Sequence, residues 1–135
     1  METRKELVLI PKTENYIKYM LNIILKLPRT EKFNIGNEYK ETMYKMLEDI
    51  LMLGKVALDK KLECINKIDA RLNMQRIFLR IMCENRWIDE KKFNYSISLV
   101  DELGKIVGGL LKAYAKNIKK WIWQIFDLRK INGST

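Results

Sequence analysis

The chain has 135 residues, the size of one ordinary domain, and carries 26 Lys and Arg against 17 Asp and Glu, a formal charge of +9 and an isoelectric point near 9.5. With 47% apolar residues it is too hydrophobic for a disordered polycation, and six Gly and two Pro are too few for a turn-rich β-sandwich, so a mostly helical domain is expected. The absence of histidine excludes Ser-His-Asp and Cys-His nucleophiles, imidazole-ligated zinc and histidine acid–base catalysis.

Residues 1–11 read as an N-terminal extension. Met1 to Lys5 is charged, but Leu7 to Ile10 is too short an apolar run for a secretory leader. Pro11 then introduces a segment in which Tyr16, Ile17, Met20, Ile23, Ile24 and Leu27 recur at steps of three and four, which predicts a helix with Thr13 as its N-cap. Pro28 stops it by forcing Leu27 out of helical geometry, and residues 29–36 read as a connection with room for one short turn.

The second periodic stretch puts Tyr39, Met43, Met46, Leu47, Ile50 and Leu53 on one face and fades at Gly54 and Lys55. A third starts near Leu58 to Lys61, carries Leu62, Ile65, Ile68, Leu72, Leu79 and Cys83, and breaks at Asn85 to Trp87. Asp89 can cap a fourth, where Phe93, Ile97, Val100, Leu103, Val107, Leu111 and Tyr114 continue the pattern. Four amphipathic helices of about twenty residues joined by short links predict an all-α fold, an antiparallel up-and-down four-helix bundle over residues 12–115.

The tail, residues 116–135, mixes Trp121, Ile122, Trp123, Ile125 and Phe126 with Lys116, Lys119, Lys120, Arg129 and Lys130, and reads as an extension of the fourth helix. Such a segment fits an interfacial helix, a stacking arm for single-stranded nucleic acid, or apolar surface packed on another subunit. Lys18, Lys26, Lys105 and Lys112 cut the longest apolar stretches well short of a membrane span, so a cytoplasmic protein with no membrane partner is expected.

On a helical wheel Lys105, Lys112, Lys116 and Lys119 fall within about 60 degrees of one another, with Lys120 nearby. Between Leu103 and Lys120 there are five lysines and no carboxylate. Such a stripe fits either a solvated face or contacts with phosphates, which hold a polyanion without reading its sequence. Arg76 and Arg80, one turn apart, either grip phosphate or a partner's carboxylate or take part in a structural pairing with Asp69.

No catalytic constellation emerges, and no enzyme, metal or cofactor is expected. Di-iron bundles need Glu-x-x-His pairs, there is no Walker lysine loop, and Gly108 with Gly109 reads as a packing point inside a helix. Cys64 and Cys83 read as two buried thiols rather than a metal pair.

The run from Asp69 to Arg80, the segment Glu102-Leu103-Gly104-Lys105-Ile106-Val107-Gly108, and Leu27-Pro28-Arg29 together resemble the accessory variability determinant family of diversity-generating retroelements, over roughly residues 14–115. The resemblance implies a non-catalytic four-helix bundle that assembles into a homopentameric ring with a basic surface. It also implies that the protein binds the element's reverse transcriptase and RNA or DNA without sequence specificity, supporting mutagenic cDNA synthesis. Arg76, Arg80 and Lys105 match the family's basic positions, Arg29 matches more weakly, and Asp69 matches the acidic one. Gln75, where an apolar residue is usual, and the Trp-rich tail depart from the pattern. The alternatives are the ribosomal-RNA intervening-sequence protein, which resembles the chain less because residues 39–53 lack its small-residue helix, and a plain oligomeric scaffold.

Overall fold

Apolar side chains spaced three and four apart give each long helix one face that must be covered, and the chain covers these faces with one another. The structure, a computed structural model, describes residues 4–133, with side chains described as far as Asp127. The helices are α1 (Arg4–Leu25), α2 (Arg29–Lys32), α3 (Ile35–Leu53), α4 (Leu58–Glu84) and α5 (Glu90–Gly133). α1 and α4 lie diagonally, each packed on both α3 and α5, and the single turn of α2 bridges α1 to α3. Their directions follow from what meets what. Glu6 reaches Tyr114 and Tyr19 stacks edge-on against Tyr95, so α1 and α5 run oppositely; Leu53 meets Lys61 and Tyr39 meets Phe78, so α3 and α4 do too.

The core holds the expected residues, among them Met20, Met43, Met46, Leu72, Val100 and Val107, all fully buried. The cap on α5 is also as read from the sequence: the Asp89 carboxylate accepts from the Lys92 amide at 2.7 Å. α4 ends in a Schellman turn, with the Trp87 amide donating to the Met82 carbonyl and the Arg86 amide to that of Cys83. Arg86 stands where glycine is usual, at φ 61°.

Two readings are corrected. The first helix does not start at Thr13: α1 begins at Arg4, runs through Pro11, and sinks Leu9 and Glu6 into the bundle, so residues 4–11 are part of the packed domain rather than an extension. Pro11 cannot donate to the Leu7 carbonyl, but both residues are exposed, and water can satisfy that group. Thr13 lies in mid-helix, with its buried hydroxyl lacking a hydrogen-bond partner among the described residues. What holds the early turns is a buried polar cluster. Lys61, 4% exposed, donates to the Leu53 carbonyl at 2.7 Å and lies 3.4 Å from the Glu6 carboxylate, which also accepts from the Tyr114 hydroxyl at 2.7 Å. The Lys61 ammonium lies 5.5 Å from the centre of the Tyr114 ring.

Gln75, the departure from apolar patterning, has a structural use. Tyr16 donates to its Oε1 at 2.6 Å, the Tyr39 hydroxyl meets that of Tyr16, and the Gln75 amide donates to the Arg71 carbonyl and the Met46 sulfur. Three helices thus share one satisfied polar layer in the middle of the core, which sets their register.

Deleting residues 1–11 removes Glu6 and strands Lys61, so urea unfolding is expected to show a loss of about 3–5 kcal/mol; an unchanged midpoint would restore the extension reading. A second expectation concerns alkali. Burial raises both core phenols well above their usual range; hydrogen bonding to Tyr39 and the Arg76 charge partly offset this for Tyr16, whereas Tyr16 adds to it for Tyr39. The folded chain therefore keeps protons that the unfolded chain releases above about pH 10, so this stability is complete below that pH and falls as pH rises through it, by about 1.4 kcal/mol per pH unit for each tyrosine. Urea midpoints between pH 9 and 11 should fall less steeply for Tyr39→Phe than for the parent, and equal slopes would contradict the assignment.

Candidate nucleic-acid interface

α5 presents three sides over the bundle, each set by its 3.6-residue period. Leu103, Val107, Leu110 and Tyr114 face the core. On one flank Glu102 pairs with Lys12 of α1, and Gly109 lies under the Lys5 side chain, whose Nζ would stand 2.8 Å from an added Cβ. On the other flank Asp101 pairs with Arg76 of α4, and Gly104 accommodates the same guanidinium, 2.6 Å from an added Cβ. The remaining side, pointing away from all neighbours, carries Lys105, Lys112, Lys116 and Lys119, with Lys120 beside them, all exposed.

Asp101 and Glu102, at the edges of the outward side, are drawn to Arg76 of α4 and Lys12 of α1, and from Leu103 to Lys120 that side carries no carboxylate. None of Lys105, Lys112, Lys116, Lys119 or Lys120 has an ion-pair partner among the described residues. The outer faces of α1 and α3 differ, because Lys18 pairs with Glu14 at 3.4 Å and Lys45 with Glu41 at 2.8 Å. The hydrogen bond and charge of Lys45 hold the Glu41 carboxyl below its ordinary range. The lysine stripe is therefore a concentrated cationic field rather than one half of a neutralised surface.

The two arginines separate. Arg76 donates through Nη2 and Nε to Asp101 at 3.1 and 3.3 Å and through Nη1 to Asn73 at 2.7 Å. Arg80 is exposed, with no ion pair among the described residues. Asp69 accepts from Asn73 at 3.5 Å and pairs with no arginine among the described residues; the carboxylate that Arg76 meets is Asp101, across the α4–α5 contact. Arg71 is likewise committed, its Nε 2.8 Å from Asp49 of α3. Arg29 is exposed on the first residue of α2, at the opposite end of the bundle from Lys116–Lys120, so the structure does not bring it to the stripe.

Lys5 is the cation that sequence reasoning missed. Its signal was Gly109, a helical position with no side chain, over which a neighbouring helix can lay a long one. Gly108, in contrast, has nothing within 4 Å. Cys64 and Cys83 are half-buried and unpaired; burial, with the Asp49 charge, pushes the Cys64 thiol up, away from the reactive thiolate. No metal-binding group of His, Cys, Asp and Glu occurs among the described residues, and no described helix is long and apolar enough to cross a membrane.

The division between the arginines is measurable. Arg80→Ala should leave the unfolding free energy within about 0.5 kcal/mol of the parent, while Arg76→Ala should lower it by up to about 1 kcal/mol, the range of a partly exposed ion pair. The reverse order in urea unfolding would contradict the pairing described.

A search of curated proteins finds no match. The family model described as bAvd-like matches residues 7–114, from the second turn of α1 to the last core residue of α5. That span is most of the chain and includes the bundle, the Arg76–Asp101 contact and the first half of the lysine stripe, and on it the chain belongs to the bAvd-like family.

Proposed function

We propose that this protein is a non-catalytic accessory subunit of a diversity-generating retroelement. In this reading it binds the element's reverse transcriptase together with RNA or DNA and supports mutagenic cDNA synthesis. The observation that carries the nucleic-acid part is the outward side of α5, where five lysines follow one another from Lys105 to Lys120 with no carboxylate between them. Phosphates spaced along a strand match cations spaced along a helix, and their contacts give affinity without sequence readout. Arg80, exposed, one turn from Arg76 and without an ion pair among the described residues, offers its guanidinium to phosphate or to a carboxylate of the polymerase. Membership of the bAvd-like family supports the accessory role.

The protein acts, in this proposal, as a homo-oligomer, a pentamer as the family resemblance implies. Met74, Ile77 and Ile81 of α4 are each more than a third exposed and, with Ala70, fall within about 60 degrees of one another on the helix. They form an apolar stripe on the side of α4 turned away from Ile68, Leu72 and Leu79 of the core, suited to another copy. A ring of five chains at +9 each would repel itself, so bound polyanion and assembly should favour one another.

Fluorescence anisotropy of a labelled oligonucleotide over a salt series tests this directly. With about ten phosphate contacts per ring, the log–log slope of affinity against salt is expected near minus nine for a duplex and about minus seven for a single strand, with little change between unrelated sequences. A flat salt dependence, or a strong preference for one short sequence, would overturn the reading. Light scattering of Ile77→Lys should show smaller particles than the parent; a parent that is already a monomer would remove the assembly.

A further inference from the structure

Tyr114 is the last buried residue of α5 among the described ones, yet the helix continues for about 28 Å more, to Gly133. This projection has two sides of different chemistry. Ile118 and Trp121 continue the core-facing side and, with Ala57 of the α3–α4 link and Leu58 and Asp59 at the start of α4, line a shared hollow. An apolar side directed at its own chain's link accounts for these residues without a ligand.

Trp123 does not belong to that side. On the helical wheel it lies about 180 degrees from Tyr114, in line with Lys105, Lys112, Lys116 and Lys119. It is 61% exposed. Lys116, Lys119, Lys120, Trp123, Gln124 and Asp127 line one open depression. Phe126 meets the Trp123 indole edge-on, with ring centroids 6.2 Å apart at 77°, which limits the ring's rotation and leaves its exposed area to solvent. A large indole set among unpaired lysines, on the face pointing away from the molecule, covers no core and pairs with no carboxylate. Asp127 closes the depression on the side farther from the bundle.

Deepening the nucleic-acid reading above, on which it rests, we propose that this face of α5 is a single-stranded nucleic-acid site: Trp123 stacks on an unpaired base while Lys116, Lys119 and Lys120 hold the flanking phosphates. Lysines alone attract duplex and single strand alike. An exposed indole adds affinity only where a base face is free, because in a duplex the neighbouring base pairs already cover both faces. Stacking tolerates any base, so the site selects strandedness and not sequence. Its position beyond residue 114 also places it outside the matched family span, as a feature of this chain.

The test compares the full chain, Trp123→Ala, Trp123→Phe and the triple variant with Lys116, Lys119 and Lys120 changed to Gln. Each is titrated with a labelled dT16 oligonucleotide and with a 16-base-pair duplex. Trp123→Ala should weaken dT16 binding by about 5-fold or more with its salt slope and its duplex affinity unchanged, and Trp123→Phe should restore most of the loss. The triple variant should instead lower the dT16 slope by about 2. Equal dT16 affinity for the parent and Trp123→Ala, with duplex binding intact, would overturn the stacking site and leave the nucleic-acid reading standing. A parent that binds neither oligonucleotide would overturn both. Trp123-dependent sedimentation with phosphatidylserine vesicles, with no Trp123-dependent oligonucleotide binding, would assign the face to a membrane surface and overturn the proposal.

Discussion

The organisation of this protein depends on how α5 divides its circumference. A helix inside a four-helix bundle must turn one side to the core and both flanks to its neighbours, and only one narrow side is left over. In α5 the core side is Leu103, Val107, Leu110 and Tyr114, and the flanks place Asp101 and Glu102 against Arg76 and Lys12. The acidic residues of this stretch are thereby consumed in holding helices together. From Leu103 to Lys120 what remains outward is lysine without counter-charge, so the same periodicity that builds the bundle produces the cationic stripe.

Stability and charge are kept apart by this arrangement. Two buried polar groupings, the Tyr16–Tyr39–Gln75 layer and the Glu6–Lys61–Tyr114 cluster, are closed by hydrogen bonds between helices. Neither layer includes a residue of the lysine stripe. Substitutions on the stripe should therefore have little effect on folding, whereas those in the layers should lower stability. Arg76 is the exception, because it reaches from α4 to α5 beside Gly104 and its charge also acts on buried Tyr16.

Most of the fold could be read from the sequence, since periodic apolar residues carry it: Tyr16 to Leu27, Tyr39 to Leu53 and Val100 to Tyr114 occupy the core as their spacing requires. The start of α1 could not, because Pro11 is a strong helix-starting signal, and what overrides it is the long-range contact of Glu6 with Lys61 and Tyr114, groups far apart in the chain. The stripe was also legible, being confined to one helix. The partner of Arg76 was not: Asp69 lies two turns away on the same helix, but the nearer carboxylate is Asp101, brought in by the α4–α5 packing. Lys5 escaped for the same reason, as only the assembled bundle lays it over Gly109.

In the proposed function it is the outward side of α5, and not the basic charge as a whole, that receives nucleic acid. Lysine-reactive footprinting of the full chain with and without a saturating oligonucleotide tests it residue by residue. Lys105, Lys112, Lys116 and Lys119 should be protected, with Lys18 and Lys45, paired to Glu14 and Glu41 on other helices, reacting as before. Protection spread evenly over all these lysines, or confined to Lys18 and Lys45, would contradict it.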